Sequence, residues 1–212
     1  MSLLSLLLVN LALGGEELGA ELGSNSGVVS YCNEGATVES STDNYFDGIY
    51  TGTKWQCVEY ARRWLIMTQN LTFVGVKCAS DIWHLNSLEN PYDSQITSLY
   101  RIQNGSKCKP NPGDILIYKR AKITPVGHVA IITEVQSSSV KIAEQNWDSQ
   151  LWPGDYSRAL KLVEIDRDYF ILDDDYVVIG WLAYKNKHEA FCFDYKCRTC
   201  SLPDLEENCG FN

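Results

Sequence analysis

Cys57 lies where the sequence pattern begins a helix, and a thiol in that position is a candidate nucleophile. Turn-forming residues precede it at 50–54, while Val58, Ala61 and Leu65 follow on one helical face. The positive end of a helix dipole favours the thiolate, which is the nucleophilic form of cysteine. A lone helical cysteine is also common in a core or in a disulfide. Cys57 alone therefore leaves catalysis and packing as alternatives.

A nucleophilic thiol requires a base whose pKa lies near neutrality, and histidine is the usual choice. The chain has three histidines, His84, His128 and His188. His128 follows Gly127 and opens a β-branched run, so it is placed at the end of a predicted strand beside a flexible residue. We interpret His128 as the candidate base, with a half-buried core histidine as the alternative.

An imidazole base needs an orienting partner on its second ring nitrogen. The turn 136–139 joins the His128 strand to the segment 140–146, which predicts a hairpin. Glu144 and Asn146 stand two residues apart near the end of that segment, so both side chains are expected on one face. The alternative for Glu144 is a solvated strand end, and the sequence leaves the register of the hairpin open.

The elements that would position these groups follow a helix-first, strand-second order, which predicts an α+β fold with N-terminal helices packed on a small antiparallel β-sheet. A helix from Cys57 to about Asn70 and a shorter helix at 79–85 capped by Ser80 are expected. Loops are expected at 33–50 and 90–109, and a short helix followed by a loop at 14–27. The predicted strands are 115–118, 127–135, 140–146, 156–163 and 177–184.

The composition limits the class of protein. The chain has 212 residues, enough for one well-formed domain, and a net charge of -9. The acidic balance argues against nucleic-acid partners and against adhesion to anionic membranes.

Eight cysteines are present, and four of them crowd the tail at Cys192, Cys197, Cys200 and Cys209. The Cys197–Cys200 pair has the spacing of a zinc knuckle, but the other two spacings do not repeat that pattern. We expect disulfides in the tail, with zinc as the alternative. No metal or organic cofactor is assigned to the chain.

Two features suggest a secretory route. The apolar run 1–13 has the length of a signal peptide, although it lacks a basic start, and it is too short to span a bilayer. Asn70 and Asn104 begin glycosylation sequons. The expected organisation is a leader or N-terminal helix at 1–21, a catalytic domain at 22–186 and a cysteine-rich tail at 187–212. Secreted or lumenal placement is expected, with the cytoplasm as the alternative.

Five blocks of the chain resemble the CHAP family of cysteine amidohydrolases and peptidases. More narrowly, they resemble the amidase half of the glutathionylspermidine and trypanothione synthetase/amidases. The resemblance runs from about residue 22 to 184, and the leader and tail lie outside it. The blocks are 44–48, 50–64, 113–118, 127–132 and 143–146.

The resemblance implies a papain-like domain of the CHAP and NlpC/P60 type, and it implies roles for individual residues. Cys57 would be the nucleophile, His128 the general base and Glu144 the acid that orients the histidine. Gln56 would contribute to the oxyanion hole together with the Cys57 backbone N–H. Asn146 would support the same site.

Asp47 and Arg62 also lie within the matched blocks and are candidates for contact with substrate. The alternative for Arg62 is an exposed helix charge or a structural ion pair with Glu59 or Asp81.

The expected function is a thiol-dependent amidase or peptidase that cleaves a peptide-like amide through a Cys57 thioester. The amide would be a peptidoglycan peptide or a glutathionylspermidine-type amide. A second hypothesis is a structural or binding protein on the same scaffold, with the cysteine-rich tail contacting assembly partners.

Overall fold

The computed structural model describes residues 17–33 and 42–184. The predicted tail and most of the predicted leader lie outside these residues. No helix within the described ranges is long and apolar enough to cross a membrane.

The described ranges contain one α-helix, one 3₁₀ helix and thirteen strands. The helix α1 spans Cys57–Gln69 and the 3₁₀ helix spans Ala79–His84. The strands are β1 (Glu21–Asn25), β2 (Val28–Tyr31), β3 (Asp43–Phe46), β4 (Ile49–Thr53), β5 (Ser87–Glu89), β6 (Ile96–Ser98), β7 (Tyr100–Gln103), β8 (Ile115–Tyr118), β9 (His128–Val135), β10 (Ser139–Ala143), β11 (Arg158–Ile165), β12 (Asp168–Leu172) and β13 (Val178–Ala183).

Seven strands form one antiparallel sheet in the order β12-β11-β10-β9-β8-β13-β7. β12 also contacts β13, which stands five places away in that order, so the sheet curls. Three separate hairpins, β1–β2, β3–β4 and β5–β6, complete the described strands.

The sheet is buried on both faces, which explains why its central strands read as continuous apolar runs. In β8, Ile115 and Ile117 belong to a cluster that includes Tyr60 and Leu65 of α1. The alternate residue Leu116 belongs to a second cluster on the other face. The helix therefore covers one face, while the curl of the sheet encloses the other.

The α+β expectation is confirmed only in part, because the described chain is mostly β with a single α-helix. The predicted strand at 115–118 is present at the same bounds, and the other four predicted strands are present with shifted ends. The predicted second helix is a 3₁₀ helix. Its cap is Cys78, whose backbone N–H donates to Asp81, and not Ser80.

Three predicted loop regions contain strands, so those predictions were wrong. The described part of 14–27 holds β1 instead of a short helix, the described part of 33–50 holds β3 and the first residues of β4, and 90–109 holds β6 and β7. These strands are short and mostly polar, so they lack the apolar alternation that marks a strand in sequence. Their existence depends on pairing with a neighbour.

A buried ion pair fixes α1 against its surroundings. Arg63 Nε donates to Glu59 Oε1 at 2.7 Å, one helical turn away, and the Glu59 side chain is fully buried. Glu59 also accepts from Thr51 and from Gln145, while Arg63 donates to the carbonyl of Val29. The pair thus joins α1 to β4, to β2 and to the segment that follows β10.

Replacing Arg63 with Met should lower the free energy of unfolding by about 3–5 kcal/mol, because Glu59 would remain buried without its cation. Arg167→Met is the matched control, since Arg167 is exposed in the turn between β11 and β12. Urea unfolding followed by fluorescence would measure both variants. A loss for Arg63→Met no larger than the control would contradict this role.

Candidate active site

The N-terminus of α1 faces a cavity of about 570 Å³, and Cys57 lies in its wall with 5% of its surface exposed. Gln56 precedes the helix in an extended conformation, and no side chain caps the helix start. The first backbone N–H groups of a helix have no intrahelical partner. The backbone N–H of Cys57 therefore belongs to a helix end that offers uncapped donors beside the thiol.

His128 opens β9 beside this thiol. The preceding Gly127 has a φ of +69°, and a Cβ there would lie 2.8 Å from the Tyr118 carbonyl oxygen and 2.9 Å from Ser80 Cβ. Only glycine can turn the chain so tightly at this point. The turn places the His128 imidazole beside the Cys57 thiol, close enough for Cys57 to raise the pKa of His128.

Glu144 holds the other side of the imidazole. Its Oε2 lies 2.9 Å from His128 Nε2, and 1% of the Glu144 side chain is exposed. Because Nε2 is engaged by the carboxylate, Nδ1 is the ring nitrogen that faces Cys57. The structure therefore places the His128 imidazole between Cys57 and Glu144.

A β-bulge places Glu144 on the correct face of the sheet. Lys141 pairs with Glu134, but Ile142 pairs with Ile132, so Thr133 is the extra residue. A one-residue slip in register moves every following side chain to the opposite face. Without the slip, Glu144 would share the face of Ile131 and point away from the face on which His128 lies.

His128 and Glu144 each favour the charged form of the other. Burial alone would lower the pKa of His128, but the charge and hydrogen bond of Cys57, together with those of Glu144, raise it to about 9. Burial alone would raise the pKa of Glu144, yet the hydrogen bond from His128 and the charge of Arg158 bring it down to about 2. At neutral pH the site therefore holds an imidazolium next to an ionised carboxylate.

Asn146 lies at the site but has a different partner from Glu144. Its backbone has a φ of 60°, outside β10, and its Nδ2 donates to Gln56 Oε1 at 2.7 Å. Its Oδ1 accepts from Asn33 Nδ2 at 3.0 Å. These bonds fix the Gln56 amide with its oxygen toward Asn146. Because β10 ends at Ala143, strand alternation does not determine the direction of the Asn146 side chain.

Arg62 is neither an exposed charge nor part of an ion pair with Glu59 or Asp81. Its guanidinium is buried and donates to the carbonyl oxygens of Phe73, Thr51 and Val74. Burial lowers its pKa. Arg62 clamps three backbone carbonyls while forming part of the cavity wall.

Asp47 lies apart from the cavity. It occupies the exposed turn between β3 and β4 with a φ of 51°, and it accepts a hydrogen bond from Tyr92. The structure does not bring Asp47 to Cys57, so contact between Asp47 and a substrate held in this cavity is not supported.

The two sequons differ in their surroundings. Asn70 is exposed at the C-terminal end of α1 in a left-handed conformation. The side-chain amide of Asn104 forms two hydrogen bonds with the backbone of Ile171. Its Nδ2 donates to the Ile171 carbonyl oxygen at 3.0 Å, and its Oδ1 accepts from the Ile171 N–H at 2.8 Å. Because its amide is occupied by β12, Asn104 acts as a structural residue in the fold.

Arg158 and Trp147 are two site residues that the sequence analysis missed. Arg158 Nε donates to Glu144 Oε1 at 2.6 Å, and the Trp147 ring lies 4.9 Å from the His128 ring. Trp147 follows Asn146 in the chain, so its position beside a candidate block was the available signal. Arg158 lies at the edge of a predicted strand, and no local pattern in the sequence links it to Glu144.

A scan against protein-family models matches residues 48–146 to the CHAP domain. This segment contains Cys57, His128, Glu144 and Asn146.

Three relatives illustrate the similarity to curated proteins. The chain is 32% identical over 170 residues to trypanothione synthetase of Crithidia fasciculata, covering 76% of this chain and 26% of that protein. It is 38% identical over 144 residues to bifunctional glutathionylspermidine synthetase/amidase of Escherichia coli strain K12, and the match covers 66% of this chain and 23% of that protein. It is 33% identical over 136 residues to glutathionylspermidine synthase of Crithidia fasciculata, and the match covers 62% of this chain and 19% of that protein. The chain thus spans about a quarter or less of the length of these relatives.

NMR titration of the imidazoles should give His128 a pKa of about 9. Cys57→Ala should lower this pKa, because it removes the charge and hydrogen bond that favour the imidazolium, and Glu144→Gln should lower it for the same kind of reason. His128→Gln identifies the resonance. A wild-type pKa for His128 at or below the ordinary value of 6.5 would contradict the coupled arrangement.

Proposed function

Because residues 48–146 of this chain form a CHAP domain, we propose that the protein is a thiol-dependent amidase that hydrolyses a peptide-like amide bond. The observation that carries the proposal is the series of contacts from Cys57 to the imidazole of His128 and from there to Glu144. These contacts lie at a cavity large enough for a short peptide-like ligand. The amidase named in one of the relatives supports the same reaction type.

In the proposed reaction, the sulfur of Cys57 attacks the carbonyl carbon of the bound amide. The His128 imidazolium gives its proton to the amide nitrogen as the carbon–nitrogen bond breaks, and the amine leaves. The acyl group stays on Cys57 as a thioester. A water molecule then attacks the thioester, His128 accepts the water proton, and the acid product leaves with Cys57 and His128 restored.

The negative oxygen that develops during each attack requires hydrogen-bond donors. We assign this role to the Cys57 backbone N–H at the uncapped helix start and to the Gln56 side-chain amide. The bond from Asn146 to Gln56 Oε1 supports this assignment, since it orients the amide group of Gln56 before substrate binds. Glu144 orients His128 and stabilises the imidazolium in the same way as the acid of other catalytic triads.

Two classes of amide are candidates for the substrate, glutathionylspermidine-type amides and peptidoglycan peptides. The names of the relatives favour the first class. Arg62 and Lys77 contribute cationic groups to the cavity lining, while the charge of Glu59 is matched by Arg63. This balance suits a substrate that carries a carboxylate, and both classes meet that condition.

Cys57→Ala should abolish hydrolysis, because no other group replaces the nucleophile. Cys32→Ala is the matched control, since Cys32 is also a buried thiol and does not line the cavity. Each purified variant would be assayed with glutathionylspermidine and with a peptidoglycan stem peptide, and release of the amine would be measured. Iodoacetamide should label Cys57 in the wild type at mildly acidic pH.

An inert wild type on both amides, with Cys57 unreactive to iodoacetamide, would reject the amidase proposal. That result would favour the second hypothesis, a binding or structural protein on the same scaffold. Hydrolysis that survives Cys57→Ala would reject the assignment of the nucleophile.

We also propose that the protein works in a secreted or lumenal compartment. Cys78 and Cys108 are disulfide-bonded, and disulfides persist in oxidising compartments. Asn70 is an exposed sequon asparagine, and it is the glycosylation site that we retain. Most of the leader and all of the tail cysteines lie outside the described residues, so their roles remain predictions.

Mass spectrometry after alkylation under denaturing, non-reducing conditions tests the compartment. Protein collected from a secreting eukaryotic cell should show label on Cys57 and Cys32 but not on Cys78 and Cys108. Full labelling of all four cysteines would contradict an oxidising compartment and would favour the cytoplasm.

A further inference from the structure

We propose that Arg158 is a positioning residue for the hydrolysis, because it locks the Glu144 carboxylate in the orientation that directs His128. This inference rests on the proposed function, since it assigns a further residue to the same site. Arg158 does not line the cavity beside Cys57. It therefore acts through Glu144 and not by contact with the substrate.

Arg158 donates hydrogen bonds to both carboxylate oxygens of Glu144. Its Nε donates to Oε1 at 2.6 Å, and its Nη2 donates to Oε2 at 3.3 Å. Ser157 adds a hydroxyl donor to Oε1 at 3.1 Å. Glu144 Oε2 is also the atom that meets His128 Nε2, so the rotation of the carboxylate sets the position of the imidazole.

The strand register delivers Arg158 to this position. Arg158 pairs with Ile142 across β10 and β11, and Glu144 stands two residues beyond Ile142. The carboxylate just beyond the end of β10 and the guanidinium at the start of β11 thus approach each other. Their contact is a property of the backbone arrangement and does not depend on the cavity or its contents.

Arg158 is itself anchored on its far side. Its Nη1 lies 3.0 Å from Asp173 Oδ2, and the Tyr118 hydroxyl donates to the same carboxylate oxygen at 3.1 Å. The guanidinium carbon lies 3.7 Å from the Trp147 ring centroid, and Trp147 packs on His128. The Arg158 side chain therefore contacts both the Glu144 carboxylate and the Trp147 ring, which packs on the His128 imidazole.

Several charged or titratable groups surround Glu144. His128, Arg158, Tyr60 and Tyr118 act on it directly. Cys57 faces the far side of the imidazole, and Asp173 faces the far side of the guanidinium. Arg158 supplies positive charge that favours the ionised carboxylate. Removing that charge should allow Glu144 to take up a proton at a higher pH.

A lysine would not reproduce these contacts. A guanidinium is planar, so it can engage both carboxylate oxygens, reach a second carboxylate and stack on an indole ring at the same time. An ammonium keeps the charge but has no planar fork. Arg158→Lys therefore separates the contribution of charge from the contribution of geometry.

The test compares Arg158→Met and Arg158→Lys with Lys161→Met, which removes an exposed cation from the same strand. The substrate is whichever of the two amides the wild type hydrolyses. We expect kcat of Arg158→Met to fall by about 10- to 100-fold, as misplacement of a catalytic group does, with KM nearly unchanged. Arg158→Lys should recover part of the loss, and Lys161→Met should match the wild type.

Two readouts distinguish positioning from a general loss of structure. As the pH is lowered, the imidazole Nε2–H resonance of His128 should be lost at a higher pH in Arg158→Met than in the wild type. The reason is that Glu144 takes up its proton at a higher pH when the charge of Arg158 is absent. Arg158→Lys, which keeps the charge, should stay close to the wild type in this midpoint. The fraction of folded protein is measured by circular dichroism at each pH, so that unfolding is not mistaken for this change.

Wild-type kcat in folded Arg158→Met, an equal loss in Lys161→Met, or an unchanged pH midpoint would each overturn the inference. If Arg158→Met does not fold, Asp173→Asn provides the second variant, because it releases the far anchor while leaving the contact with Glu144. A smaller loss of kcat in Asp173→Asn supports the inference, and no loss overturns it. If the wild type hydrolyses neither amide, the proposed function fails, and the Nε2–H midpoint still reports whether Arg158 holds Glu144.

Discussion

The buried ion pair between Glu59 and Arg63 is the interaction on which the arrangement of this protein depends. A carboxylate removed from water is tolerated only when its lone pairs are satisfied and its charge is matched. Glu59 meets this requirement by accepting from Arg63, Thr51, Gln145 and Asn44. Each donor belongs to a different part of the chain, so satisfying one buried charge draws the parts together.

The consequence for the site is geometric. Gln145 donates to Glu59 and also to the backbone carbonyl of Gln56, and it lies between Glu144 and Asn146 in the chain. The same bonds that satisfy Glu59 therefore hold the end of β10 against the start of α1. Cys57 and Glu144 come from these two elements, and His128 lies between them.

The buried carboxylates of Glu59 and Glu144 serve different ends because their neighbours differ. Glu59 is surrounded by donors that leave it no contact with a reacting group. Glu144 shares one oxygen between Arg158 and His128, and its charge favours the imidazolium. The Glu144 carboxylate therefore lies between two cations, the His128 imidazolium and Arg158, and Arg158 in turn lies 3.0 Å from Asp173. Contacts between opposite charges are how several ionised groups can be buried side by side.

The sequence by itself determined the residues whose chemistry is local. Cys57 before an apolar helical face, His128 after a glycine, and the apolar strand 115–118 could be predicted because helix starts, turns and buried strands have short-range signals. The polar hairpin β3–β4 could not be predicted, since its strands are defined by their partners. Only the tertiary structure decided that Glu144 faces His128, because a single extra residue at Thr133 shifts the register and so reverses the face. It likewise decided that Arg158 meets Glu144 and that Arg63, not Arg62, pairs with Glu59. These contacts arise where burial forces charges to find partners, and the local sequence does not encode which partner lies within reach.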